Sequence, residues 1–176
     1  FVVILFFVSF LFLPLLLLLV QGASGIWDLP GPVWSAALRS ILIALGATGI
    51  CLVVALPLAT RMGELVATLG IAVSPLVLGT GLFLIVRPYV NPFDIAVTVT
   101  LFVNALMSLP FVLRILRPEV ETTQRNFANL SEALGLGPWA KLRWVLLPRL
   151  KRPIGFAAGL TAALSMGDLG VIALFG

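Results

Sequence analysis

Two polar stripes lie inside otherwise apolar stretches of this sequence. Thr161, Ser165 and Asp168 recur at i, i+4 and i+7 and so share one face of a helix. Thr100, Asn104 and Ser108 form a second stripe with the same kind of spacing. Hydroxyls, a carboxamide and a carboxylate offer hydrogen-bond donors and acceptors and one negative charge, which suits a polar or cationic solute. An ionised carboxylate near a bilayer centre costs about 2.5–3.5 kcal/mol, so Asp168 has to face protein or water. Asn104, Ser165 and Asp168 are therefore candidates for lining a path. The competing reading is hydrogen bonding between helices, worth about 0.6 kcal/mol per bond on average, or, for Asp168, a place near the outer interface.

Other chemistry is excluded. The chain has no His, and its one Cys, Cys51, sits in an apolar run. Histidine zinc sites, Cys clusters, His-dependent triads and intramolecular disulfides cannot be built from it. No residue is assigned a catalytic or metal-ligating role, and no cofactor of the chain's own is expected.

The elements that must carry these stripes follow from composition. Of 176 residues, 61% are hydrophobic and 10% charged, with a mean hydropathy of +1.19. A soluble domain is about 45–50% apolar and about 25% charged, and one of this size could not hide so much apolar surface. The solvent for most of the chain is lipid. A membrane-crossing helix needs about 20 predominantly apolar residues, and five segments qualify: Phe1–Val20, Ser40–Ala59, Leu65–Val86, Ile95–Leu116 and Ile154–Leu174. The runs are continuous rather than alternating, so they are helices and not barrel strands. Pro14, Pro57, Pro75 and Pro110 are expected to kink them. The first run has no basic leader and exceeds the about 7–15 residues of a signal-peptide core, which makes it a span. Starting and stopping inside apolar runs, the sequence reads as a segment of a longer membrane protein.

The connectors are Gln21–Trp34, a tight polar turn Thr60–Glu64, Arg87–Asp94 and the long charged Arg117–Pro153. The second and fourth, with their helix ends, hold Arg61, Arg114, Arg117, Arg125, Lys141, Arg143, Arg149, Lys151 and Arg152; the first and third hold only Arg39 and Arg87. This asymmetry places the second and fourth in the cytoplasm and the Gly25–Pro32 loop outside. The net charge of +4 thus reports orientation, not nucleic-acid binding. On the fifth span, Gly155, Gly159, Ala163 and Gly167 form a small-residue face expected to favour close helix packing.

In the long connector, Phe127, Leu130 and Leu134 recur at i, i+3 and i+7, which predicts a short helix broken by Gly135 and Gly137-Pro138. A second short helix follows, with Trp139, Leu142, Val145 and Leu146 apolar, ended by Pro148. Two such amphipathic pieces suit either the lipid surface or a partner's groove.

Gly135, nine residues, Val145, one residue, Leu147-Pro148 resembles the tail of the cytoplasmic loop in permease subunits of binding-protein-dependent ABC importers. The family's Glu-Ala-Ala triad falls here on Asn129-Leu130-Ser131, a departure that leaves the loop's shape but not the family's Glu contact. Asn104–Pro110, Leu150–Ile154 and Ser165–Gly176 look like the C-terminal half of thiamine-importer permeases; ferric-iron permeases share much of the pattern. The resemblance implies the MetI-like all-α core of six transmembrane helices, five of them here, with 34–176 as permease domain after a first helix and external loop at 1–33. It implies that 117–153 forms a coupling loop, through Asn129, Leu130, Ser131, Gly135, Val145, Leu147 and Pro148, against a separate ATP-binding subunit, with Gly135 at positive φ. It implies solute delivery by a periplasmic or extracellular binding protein, and an inner-membrane location. The sequence has no Gly-x-x-x-x-Gly-Lys-Ser/Thr, so ATP hydrolysis is expected of that other subunit. Arg149, Lys151 and Arg152 read as an anchor near anionic lipid, with ATPase contact as the alternative. An ion-coupled secondary transporter would carry more ionisable residues in its spans, and a membrane-embedded enzyme would need His or paired carboxylates.

Overall fold

The computed structural model describes residues 2–25, 30–70 and 73–167. The described residues form helices and turns with no strand among them. Among the described residues, three helices are long and apolar enough to cross a membrane, Val3–Ala23, Gly31–Leu58 and Ala96–Ala133. The chain is an all-α polytopic membrane protein. It divides into two compact units, Phe1–Arg39 and Ser40–Gly176. In the first, α1 (Val2–Gly25) is apolar on every side and carries Pro14 inside. None of its described side chains is buried, as expected of a helix surrounded by lipid.

The second unit is built around α5 (Ala96–Ala133). Leu109, Val112, Leu113, Leu116, Val120 and Thr123 follow a helical period and are all buried. On that stripe pack Ala47, Cys51 and Ala55 of α2 (Gly31–Leu58), and Leu146, Leu150 and Ala157 from the end of the chain. The small residues of α2 recur at successive turns, so its backbone lies close: a Cβ on Gly46 would stand 2.6 Å from Leu101 Cδ2. The chain reverses at Ala59–Thr60, and α3 (Arg61–Leu69) starts at once, capped by Gly63 N–H donating to Thr60 Oγ1 at 3.1 Å. Only Gly fits at position 63, since a Cβ there would meet the Leu58 carbonyl oxygen at 2.0 Å. The Arg117 guanidinium of α5 then clasps Glu64 of α3, while its Nε donates to Glu121 at 2.8 Å one turn along.

Several sequence expectations are corrected. The predicted turn Thr60–Glu64 is shorter, because residues 61–64 are already the first turn of α3. The third span, Leu65–Val86, is not one helix: α3 ends at Leu69, and a separate α4 (Pro75–Val86) follows. Pro75 lacks an N–H and holds Ser74 extended, at φ −70° and ψ 138°. A hydropathy window counts apolar residues and is blind to that break. At 12 residues, α4 rises about 18 Å, short of the about 30 Å apolar core.

The fourth span does not end at Leu116. Helix α5 runs on through the charged connector to Ala133, because its buried stripe continues through Val120 and Thr123 and the Arg117–Glu121 pair supports the exposed side. Its 38 residues rise about 57 Å, well beyond the bilayer's apolar core. Gly135 then breaks it as expected, and Pro138 opens α6 (Pro138–Ala140). Pro148 does not end the following helix. A π-helical stretch, Lys141–Leu146, leads straight into α7 (Leu147–Gly167). Its wide turn bonds Leu147 N–H to Leu142 O, one residue further back than in an α-helix, and the shifted register carries the chain past the proline.

Candidate functional site

The polar stripes meet where α5 and α7, the most extensively packed helix pair, face each other. Thr100, Asn104 and Ser108 are each 2% exposed, Thr161 and Ser165 are also buried, and Ser165 stands opposite Asn104. Asn104 Nδ2 donates to Ser165 Oγ at 2.7 Å and to the Ser165 carbonyl at 3.3 Å. Thr100 and Thr161 instead donate to carbonyls four residues back on their own helices, at 2.8 and 2.9 Å. The Asn104–Ser165 pair is thus a polar link that crosses from α5 to α7. Asn104 Oδ1 is buried and has no partner among the described residues, an energetically costly arrangement for a carboxamide.

Beside this pair lies a cavity of about 430 Å³, walled by Asn104, Met107, Ser108 and Phe111 of α5, by Ala163 to Ser165 and Gly167 of α7, and by Val73 and Pro75 at the α3–α4 bend. The bend that interrupts the expected third span therefore borders the cavity. Its wall is mainly apolar with three hydrogen-bonding side chains, the usual make-up of a small-molecule site. Sequence spacing named Asn104 and Ser165 separately, and the fold joins them. Asp168 lies outside the described residues. Met107 and Phe111 carry no polar signal and were not singled out.

Among the described residues, nothing packs closely on the small-residue face of α7. Gly155, Gly159, Ala163 and Gly167 are exposed, and a Cβ on Gly155, Gly159 or Gly167 would meet nothing within 4 Å. The buried face is Leu150, Ala157, Thr161 and Ser165, because the Asn104 contact and the apolar stripe of α5 turn that side inward.

The residues expected to couple to a partner gather around the end of α5. Gly135 has φ +60°, the one positive φ among the described residues. The Leu136 and Gly135 N–H groups donate to Ser131 O at 2.9 Å and Glu132 O at 3.0 Å, the paired bonds of a Schellman cap. Ser131 is buried, its Oγ donating to Phe127 O at 2.7 Å, while Asn129 and Leu130 are exposed. Past the turn, Val145 and Leu147 are half-buried and Pro148 is exposed. Leu130, Leu134, Trp139 and Trp144, large apolar side chains on either side of the turn, are 52% to 72% exposed. Trp139 belongs to the apolar face expected of the second short helix, yet it is exposed, whereas Leu142 and Val145 are half-buried and Leu146 is buried.

No protein-family model matches the chain. It is similar to the thiamine transport system permease protein ThiP of Brucella abortus (strain 2308), 35% identical over 82% of this chain and 28% of that protein. The ThiP of Escherichia coli (strain K12) is 33% identical over 93% of this chain and 34% of its own length. For the ThiP of Haemophilus influenzae the figures are 34% identity, 99% and 36%. The chain spans about a third of the length of the curated relatives it matches.

Proposed function

As a relative of the thiamine transport permeases, matching about a third of their length, the chain is, we propose, a permease segment of an ATP-driven importer of thiamine or its phosphates in the bacterial inner membrane. The α5–α7 cavity forms part of the translocation path, with Asn104, Ser165 and Ser108 presenting hydrogen-bonding groups to the passing solute. The observation that carries this reading is the buried Asn104–Ser165 pair beside an about 430 Å³ cavity, in a chain whose relatives bear a thiamine transport name.

The Gly135 turn with its exposed Leu130, Leu134, Trp139 and Trp144 docks into a separate ATP-binding subunit. An apolar group of this size on a helical turn fits a groove better than water. Movement of that subunit is passed along α5, a single helix from Ala133 back to Asn104, and through Ser165 to α7. A binding protein on the outer side supplies the solute. In cells lacking their own thiamine uptake, the full-length protein with its ATPase should restore accumulation of labelled thiamine, and omitting the ATPase should abolish it. Uptake that persists without any ATPase, or restoration of a different solute only, would overturn the assignment.

A further inference from the structure

The junction of α5 and α7 at the basic start of α7 holds a second cleft, about 550 Å³, separate from the Asn104 cavity. Arg149, Lys151 and Arg152 line one side, and Thr122, Thr123 and Asn126 the other. None of the three cations has a carboxylate within 4.0 Å among the described residues; the ion pairs of this region are those of Glu64 and Glu121 with Arg114 and Arg117. Glu119 also lines the cleft, leaving cations in excess by three to one. The Arg149 guanidinium is held over the Phe127 ring, 4.0 Å from its centroid, so it is positioned rather than trailing in solvent. Thr123 is 6% exposed and lines the cleft. A positioned guanidinium, two further cations and threonine side chains lining one opening suit an anion with several acceptor oxygens.

We infer that this cleft binds the phosphate of an anionic phospholipid headgroup, taking Arg149, Lys151 and Arg152 as charge partners and Thr123 as a neutral donor. Depth selects the lipid as the source. Arg149 to Arg152 precede the apolar run that begins at Ile154 by two to five residues, which is about 3–8 Å along a helix. The headgroup layer occupies about 5–8 Å on each side of the apolar core. Glu119 then faces the part of the headgroup beyond the phosphate, where the glycerol hydroxyls of phosphatidylglycerol can donate to it. The inference is independent of which solute is transported.

Native mass spectrometry of the full-length permease tests it, in lipid-free detergent titrated with phosphatidylglycerol or phosphatidylcholine. One phosphatidylglycerol should stay bound and phosphatidylcholine should not. Arg149→Gln with Arg152→Gln should weaken retention roughly thirtyfold, about fivefold for each charge removed near the surface, and Thr123→Val by about fivefold. Arg125→Gln with Arg143→Gln removes the same charge elsewhere and should leave retention unchanged. Equal loss in that control would reduce the effect to diffuse attraction and overturn the site. Displacement by excess inorganic phosphate would assign a free anion instead of a lipid, and displacement by the purified ATPase would assign a protein contact; either result overturns the inference.

Discussion

Replacing Asn104 by Leu separates a path residue from a packing residue, because the two roles predict opposite signs. Leu has the same branching as Asn and fits the same space, but it removes both bonds to Ser165 together with Oδ1, which has no partner among the described residues. The two bonds, at 2.7 and 3.3 Å, are worth about 0.6 kcal/mol each by the measured average for interhelical bonds in membranes, together about 1 kcal/mol. An unpartnered buried acceptor such as Asn104 Oδ1 costs about 1–3 kcal/mol. Ser165, left alone, can donate to a carbonyl four residues back, as Thr161 does. The net expectation for Asn104→Leu is a permease that is unchanged or more stable by up to about 2 kcal/mol. Thiamine uptake should nevertheless fall, because an apolar side chain replaces a hydrogen-bonding group in the cavity wall. The assay pairs a thermal melt of the detergent-solubilised full-length protein with uptake at matched membrane levels. A variant that is clearly less stable, or one with unchanged uptake, would refute the reasoning.

Gly135→Val forces a β-branched residue into φ +60°, about 1–2 kcal/mol or more of local strain; the protein should still reach the membrane, but solute-stimulated ATP hydrolysis by the assembled transporter should be lost. Gly63→Ala sets a Cβ against the Leu58 carbonyl, so the α2–α3 turn must open and the Glu64–Arg117 clasp loosen; lower yield and faster proteolysis at Thr60 should follow, with Gly49→Ala, where the added methyl meets nothing within 4 Å, as the silent control. In a Cys51→Ser background, an impermeant thiol reagent added outside should label Tyr89→Cys and not Leu134→Cys, since α5 and the basic residues place these positions on opposite sides; the reverse pattern would invert the topology.

Much of this arrangement is legible in residue types and spacing, and the failures share a cause. Lipid burial is read from composition alone, and the i, i+4 polar stripes mark Asn104 and Ser165, which the fold then brings within 2.7 Å. Gly135 is identified by the spacing to Val145 and Leu147-Pro148, and its φ of +60° agrees. Boundaries fare worse because they are decided by tertiary packing. The end of α5 looks like Leu116 when charge is counted, yet Val120 and Thr123 keep a buried stripe that carries the helix to Ala133. Proline misleads in both directions. Pro75 breaks an apolar run that reads as one span, and Pro148 is absorbed by a π-helical turn that no periodicity announces. The small-residue face of α7 shows that a packing pattern says nothing of which neighbour is present: the polar face won because Asn104 stands opposite it.

The central claim is that the Gly135 turn engages a separate ATPase. Leu134, 63% exposed at that turn, allows a direct test by replacing it with Cys in the Cys51→Ser protein and adding a short thiol cross-linker to membranes that hold the assembled transporter. The account predicts one dominant adduct between position 134 and the ATPase subunit, lost when Gly135→Val is introduced. Efficient cross-linking from Tyr89→Cys instead, or a Leu134→Cys protein that transports normally yet never joins to the ATPase, would contradict it.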